Sequence, residues 1–326
     1  MAGNPVLAVS LNPSLDLTRE VDRFVFGDIC RVRASYAHPG GKGLNVCRMV
    51  SRLGGDCRAL AFLGGRTGAE VATRLAREKV PCTVVPIRAE TRTIYNFTER
   101  RGKRILRIND PGPRVSAREW KRFLTVLLRE VRRAEGIVCL SGSIPAGLPS
   151  TSYRTIIDLL KDTRALVALD TDAGWMRGAI GAGPAIIKPN LWELQRLVGR
   201  TVRTGRDVEK ACRGLLKKGI RMVLLTLGGN GALLFSSQDM MAAVPPRVAV
   251  RCPVGCGDAF LGGFLFALSR GRALDDCLAL ATACGAAKAQ CAGTAMPSLS
   301  SVRSLLPRVR VRRVENVPAG MVRSAR

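Results

Sequence analysis

Short apolar runs alternate along most of this chain with stretches in which apolar residues recur every three or four positions. The first pattern predicts buried strands and the second predicts helices with one apolar face. Strands are expected over 6–11, 57–63, 80–87, 136–140, 165–170, 185–187, 221–226, 232–235 and 241–250. Helices are expected over 69–78, 116–134, 152–161, 174–179, 192–198, 207–218, 261–268 and 274–290. Repeated strand-then-helix units imply an α/β fold, doubly wound, with a mostly parallel sheet covered by helices on both faces. Two early segments break the alternation, at about 12–38 and 88–110. They read as short, partly exposed strands. One pair, 91–98 and 103–108, is separated by the turn residues Arg100, Arg101 and Gly102. They are expected to form a small separate β-sheet, a lid, within one domain spanning 1–326.

Glycine and polar residues gather just after the expected strands. They stand at Ser141 and Gly142, at Asp170, and in 188–190, 226–229 and 255–258. That edge is where open α/β sheets bind ligands. The sharpest stretch is 251–269, where Gly255, Cys256 and Gly257 precede Asp258 and an apolar helix. A helix start leaves backbone N–H groups without partners and carries the positive end of the helix dipole. Glycines there let an anion approach closely. A carboxylate beside a bound phosphoryl group is the arrangement phosphoryl transfer requires. The plain alternative is that Asp258 caps the helix. A second glycine-rich stretch, 38–45, surrounds Lys42 and is expected to form a loop that opens a helix. It is not a Walker A loop, because Gly43 stands where Ser or Thr follows the lysine. Its plain alternative is a structural turn with a solvated lysine. No Gly-x-Gly-x-x-Gly follows the first strand, which argues against a dinucleotide fold.

Composition narrows the classes. The 326 residues are 47% hydrophobic, enough for a sizeable core, and no run of 18 apolar residues suggests a membrane span. The N-terminus shows no secretory pattern, and 11 scattered cysteines with a single histidine, His38, favour buried thiols in a reducing cytoplasm over zinc or disulfides. The net charge of +27 raises nucleic acid as a partner. Basic residues are dispersed, however, and aromatics are only 5%, so polyanionic small substrates fit as well and no specific nucleic acid is expected. The basic tail at about 303–326 holds seven arginines against Glu315 and is expected to be a solvated terminus.

Eight motifs then fall in one order. They are Leu-Asn-Pro-Ser-Leu-Asp at 11–16, Gly-Gly-Lys-Gly-Leu-Asn at 40–45, Phe-Leu-Gly-Gly-Arg-Thr-Gly at 62–68 and Glu-Thr-Arg-Thr at 90–93. Next come Ile-Asn-Asp-Pro-Gly-Pro at 108–113, the run 140–149, Ile-Lys-Pro-Asn-Leu-Trp-Glu at 187–193 and Val-Gly-Cys-Gly-Asp at 254–258. In this order they resemble the ribokinase-like (PfkB) carbohydrate kinases, in the branch of 1-phosphofructokinases and tagatose-6-phosphate kinases. The resemblance spans roughly 6–300 and leaves the tail outside.

The resemblance implies ATP-dependent phosphorylation of a hydroxyl on a phosphosugar, with fructose 1-phosphate first and tagatose 6-phosphate or fructose 6-phosphate as alternatives. It implies Asp258 as general base and an anion hole at Gly255, Cys256 and Gly257. On the sugar-phosphate side it implies Asp16, Gly40, Gly41, Lys42, Asn45 and Arg92, with Lys103, Arg104 and Arg107 as further candidates. On the nucleotide side it implies Lys188, Asn190, Glu193, Thr226, Gly228 and Gly231. Glu193 would orient Mg2+ indirectly, through water, or serve only as a helix-start carboxylate. Cys256 and Ala259 depart from the family's usual Ala and Ser or Thr, as do Gly229 and Asn230 from an Ala-Asp pair. A homodimer through the lid is a further expectation. Alternatives are a kinase of an unphosphorylated sugar or nucleoside, and, more remotely, a nucleic-acid-binding protein on an inactive kinase scaffold.

Overall fold

The computed structural model describes residues 3–102 and 104–322. Near-continuous apolar strands such as Ile137–Ser141, buried at every position, can be accommodated only inside a sheet covered on both faces. They lie in a ten-stranded sheet. Its order is Arg310–Arg313, Met240–Val244, Ala232–Phe235, Met222–Thr226, Ile186–Ile187, Leu166–Asp170, Ile137–Ser141, Val6–Ser10, Cys57–Leu63 and Cys82–Pro86. From Met222–Thr226 to Cys82–Pro86 every neighbouring pair is parallel, and the three strands at the other edge are antiparallel. The chain leaves Val6–Ser10 towards one side and later returns on the other, beside Ile137–Ser141. The crevice at this reversal opens at the carboxyl ends of the strands.

The helices form where the periodicity places them, and their starts follow local chemistry. Ala117–Arg133 begins with a capping box between Ser116 and Glu119 and buries Phe123, Leu127 and Val131, one face at four-residue spacing. Cys256–Ser269 and Leu274–Ala289 are buried around most of their circumference. They pack closely because a side chain at Gly263 would come within 2.7 Å of Cys284 Sγ. Cys277 and Cys284 are buried, and all eleven cysteines are free, so the seven-residue spacing reflects packing.

The segments outside the alternation form a second, four-stranded sheet in the order Val32–Gly40, Ser14–Val21, Arg92–Glu99, Ile105–Asn109. Its central pair is parallel and its outer pairs antiparallel. Lys103, one of the candidate basic residues, lies outside the described residues.

Three expectations are corrected. The basic tail does not run free: Arg310–Arg313 pairs with Met240–Val244, and Val317, Met321 and Val322 enter the core. Arginine density concealed this, because an edge strand keeps one polar face in water. The 241–250 strand stops at Val244, before Pro245 and Pro246, which cannot donate to a ladder. The 38–45 stretch is not a loop: His38, Pro39 and Gly40 end a strand, and the helix Lys42–Arg52 starts after Gly41 alone. Residues 323–326 of the tail fall outside the described residues.

Asn230 Nδ2 donates to Met321 O at 3.2 Å, so the tail buttresses the turn at Gly228–Asn230. Ending the chain at residue 309 removes the edge strand and three buried apolar side chains. Urea unfolding should then lose at least about 4.5 kcal/mol of stability, counting roughly 1.5 kcal/mol or more for each of the three side chains. An unchanged midpoint would show that the tail adds nothing.

Candidate active site

The site grows from the sheet's carboxyl edge. Leu166–Asp170 delivers Asp170 with 0% exposure, and its Oδ1 accepts a hydrogen bond from Lys42 Nζ at 3.1 Å. Lys188, one residue past Ile186–Ile187, brings its buried Nζ to 3.3 Å from the same oxygen. Asp170 Oδ2 is buried with no partner among the described residues. Burial alone would raise the Asp170 pKa, but Lys188 and Lys42 outweigh it and hold the group below the usual carboxylate range. Burial also disfavours the Lys42 ammonium; Asp170, Glu193 and Asp258 together overcome this and raise its pKa.

Asp258 faces this cluster. The helix Cys256–Ser269 starts five residues before the apolar pattern at 261–268, because Gly255 takes a left-handed conformation at φ 82° and turns the chain into it. Cys256, Gly257 and Asp258 thus occupy the first helical turn, where backbone N–H groups have no intrahelical acceptor. The N-cap is Gly255, so Asp258 stands inside the first turn as its acidic residue and not at the cap position. It is 7% exposed, and its Oδ2 accepts from Asn45 Nδ2 at 2.8 Å. No hydrogen bond from a described residue reaches its Oδ1. Burial, then the Asp170 charge, raise its pKa; Lys42, Asn45 and Lys188 offset part of the rise. A side chain at Gly257 would touch Lys188 Nζ at 3.4 Å, so this ammonium lies beside the helix start.

Asn45 is itself held. Arg48, one turn along Lys42–Arg52, donates from Nη1 to Asn45 Oδ1 at 3.2 Å, which directs the amide N–H of Asn45 to Asp258. Arg48 is buried, pairs through two hydrogen bonds with Glu78, and also donates to Pro39 O and Thr294 O.

The small sheet presents an inverted pattern to the crevice. Along Ser14–Val21 the polar Ser14, Asp16 and Thr18 are buried while Leu15 and Leu17 are half exposed. Asp16 Oδ1 accepts from Ser14 Oγ at 2.7 Å, and Gly40 is required beside it because any Cβ there would overlap the carboxylate. Burial raises the Asp16 pKa. Arg92, paired in register with Ser14, donates from Nη2 to Asn12 O at 3.0 Å. Arg92 Nε and Asn12 Oδ1 are buried without partners among the described residues. Arg107 acts electrostatically on Asp16, whereas Arg104 is committed to Glu99 by two hydrogen bonds. Burial pushes His38 down to about 4, and no group of three or more potential metal ligands occurs among the described residues.

The nucleotide-side candidates lie on neighbouring strand ends. Asn190 and Glu193 form a capping box at Leu191–Val198, so Glu193 does carry the helix-start role. Its Oε1 also lies 3.7 Å from Lys42 Nζ, which ties it to the Asp170 cluster. Asn190 bridges Thr226, and Gly228 and Gly231 bracket a short 3-10 turn with positive φ. Lys42, expected on the sugar-phosphate side, directs its ammonium to Asp170 in the central cluster. The sequence singled out Asp170 only as the polar end of a strand. Arg48 was missed altogether, having no local signal beyond a charge on an otherwise apolar helix.

Comparison with known proteins identifies the family. The model of the pfkB family carbohydrate kinase matches residues 7–301. The chain is 31% identical to 1-phosphofructokinase of Bacillus subtilis (strain 168) over 309 residues, covering 95% of this chain and 100% of the relative. It is 32% identical to ATP-dependent 6-phosphofructokinase isozyme 2 of Mycobacterium tuberculosis (strain ATCC 25618 / H37Rv), over 90% of this chain and 86% of the relative. The crystal structure of phosphofructokinase-2 from Escherichia coli in complex with substrates and products superposes with a TM-score of 0.88 at 26% identity, covering 94% of this chain and 99% of that one.

A carboxylate whose folded pKa is raised binds its proton more tightly in the folded state. It therefore costs stability once pH rises above that pKa. Asp258→Asn should unfold at the same or a higher temperature than wild type at pH 7, and the gap should narrow as pH falls towards the ordinary carboxylate range. Thermal unfolding at both ends checks this; a variant less stable than wild type at pH 7 would contradict the electrostatic reading.

Proposed function

The chain belongs to the pfkB family of carbohydrate kinases and is a phosphotransferase acting on a sugar hydroxyl; from that premise we propose that it phosphorylates fructose 1-phosphate to fructose 1,6-bisphosphate with ATP, using Asp258 as general base. One observation carries the reading: a buried carboxylate in the first turn of a glycine-led helix, with one oxygen anchored by Asn45 and the other reached by no hydrogen bond from the described residues. The free oxygen takes the proton of the attacking hydroxyl. A pKa raised by burial brings the base towards the operating pH, and positioned general-base help contributes about 10² to 10⁴ in rate. The amides of Gly255, Cys256 and Gly257 stabilise charge on the phosphoryl group in flight, and Lys188 beside Gly257 adds positive potential.

The sugar side fits a substrate that already carries phosphate. Asp16 accepts hydrogen bonds from sugar hydroxyls, and the unpaired Arg92 Nε belongs to a planar fork suited to phosphate oxygens. Gly40 and Gly41 let the sugar approach, and the small sheet closes over it as a lid. Thr226, Gly228 and Gly231 line the nucleotide path, with Asn190 shaping its edge. The buried, unpaired Asp170 Oδ2 and the half-covered Glu193 suit a hydrated Mg2+ held mainly by phosphate oxygens, with Glu193 acting through water. That ion would neutralise charge between the phosphates. The outer face of the small sheet exposes Leu106 and Ile108, and a second copy of the chain is the occupant we assign to it. Free thiols and the lack of any helix long and apolar enough to cross a membrane among the described residues fit a cytoplasmic setting.

The test is transfer of phosphate from ATP to a panel of acceptors: fructose 1-phosphate, fructose 6-phosphate, tagatose 6-phosphate, fructose and adenosine. Fructose 1-phosphate should give the highest kcat/KM, and Asp258→Asn should lose at least about a hundredfold in kcat. A preference for an unphosphorylated acceptor, or a variant keeping a tenth of the activity, would overturn the reading.

A further inference from the structure

Two lysines flank the helix start at Gly255, and only one has been explained. Lys188 lies against Gly257 and is balanced by Asp170. On the other flank, Lys288 projects from the end of Leu274–Ala289 with 0% exposure. A Cβ at Gly255 would stand 3.3 Å from Lys288 Cε, so the lysine stem packs directly on the residue that turns the chain into the helix. Its Nζ donates one hydrogen bond, to Gly293 O at 2.8 Å. An ammonium has three N–H groups. No carboxylate among the described residues lies within 4.0 Å of this one, whereas Lys42, Lys188 and Arg48 each have such a partner.

Burying a charge without a counter-ion is costly, and replacing it with an apolar side chain usually stabilises a fold. Lys288 therefore points to a use other than stability. Its charge reaches the anion hole, since it opposes the burial that pushes the Cys256 thiol up to about 11. The turn it holds is shared with two other parts of the site. Thr294 O accepts from Arg48, which orients Asn45, and Gly293 packs against Thr18 of the small sheet.

Building on the kinase reading above, we propose that Lys288 is a built-in cation behind the anion hole. It is a positioning residue that fixes the turn at Gly293 against Gly255 and supplies positive potential to the backbone amides receiving the transferred phosphoryl group. Its missing counter-ion is the phosphoryl group itself, present only while substrate is bound. The role differs from that of Lys188, whose charge is already matched by Asp170. Among the described residues Lys288 itself makes no hydrogen bond to Asp16, Arg92 or Asn12, so its contact with the sugar side runs only through the turn at Gly293.

The experiment compares full-length wild type with K288M and K288A. K288M should unfold at or above the wild-type temperature. Its kcat should fall by about tenfold or more, less than for loss of a direct amide donor, while KM for the phosphosugar stays within about twofold. K288A leaves a cavity lined by a carbonyl, and methylammonium chloride should restore part of its kcat. Tetramethylammonium chloride, too large and lacking N–H donors, should not. A K288M enzyme with wild-type kcat would overturn the proposal. So would a loss of activity matched by a lower unfolding temperature and not relieved by methylammonium in K288A. If K288M does not fold, the K288A titration decides: recovery supports the built-in cation and its absence refutes it. Wild type that transfers no phosphate to any acceptor would instead overturn the kinase reading.

Discussion

The cost of holding two carboxylates, Asp170 and Asp258, out of water at one sheet edge governs much of this molecule. Neither can ionise there without organised positive charge. Lys42 and Lys188 converge on Asp170, and their combined field leaves Asp258 as the carboxylate whose pKa rises. The two groups thus differ by surroundings, not by residue type: one is held ionised as an anchor, and the other is the carboxylate to which the proposal above gives the role of base. The fold supplies the means, since the strand Leu166–Asp170 ends where the helices Lys42–Arg52 and Cys256–Ser269 begin.

Precision is then added at a distance. Asp258 is aimed by Asn45, Asn45 by Arg48, and Arg48 by Glu78 and two carbonyls. Each link is a buried polar contact that costs more to leave unmade than it returns when made. Such a chain favours a single arrangement over raw stability. The small sheet follows the same logic from the other side. Its strand Ser14–Val21 buries Ser14, Asp16 and Thr18 more deeply than Leu15 and Leu17, an inversion that makes sense where the covered surface is a polar ligand.

How much of this was legible from residues alone depended on where the signal lay. Parallel strands and the glycine-led helix at Gly255 carried their information locally, in apolar runs and turn residues, and were placed to within a few positions. Motif order brought out Asp16, Asn45, Arg92, Asn190, Glu193 and Asp258. Arg48 and Lys288 were invisible because their importance lies in contacts that the fold alone creates: Thr294 for Arg48, 246 positions away, and Gly255 for Lys288. Each looks like an ordinary charge on a helix. The tail misled for the opposite reason: arginines alternating with Val309, Val311 and Val314 read as solvated coil until an unpaired strand edge at Met240–Val244 gave them a partner.

The central claim concerns where the acceptor hydroxyl stands when the base acts. A crystal structure of the full chain with fructose 1-phosphate and a non-transferable ATP analogue tests it most directly. The account predicts the acceptor hydroxyl within about 3.2 Å of the Asp258 carboxylate, with the terminal phosphate facing the amides of Gly255, Cys256 and Gly257. A hydroxyl bound away from Asp258, or a terminal phosphate seated elsewhere, would contradict it.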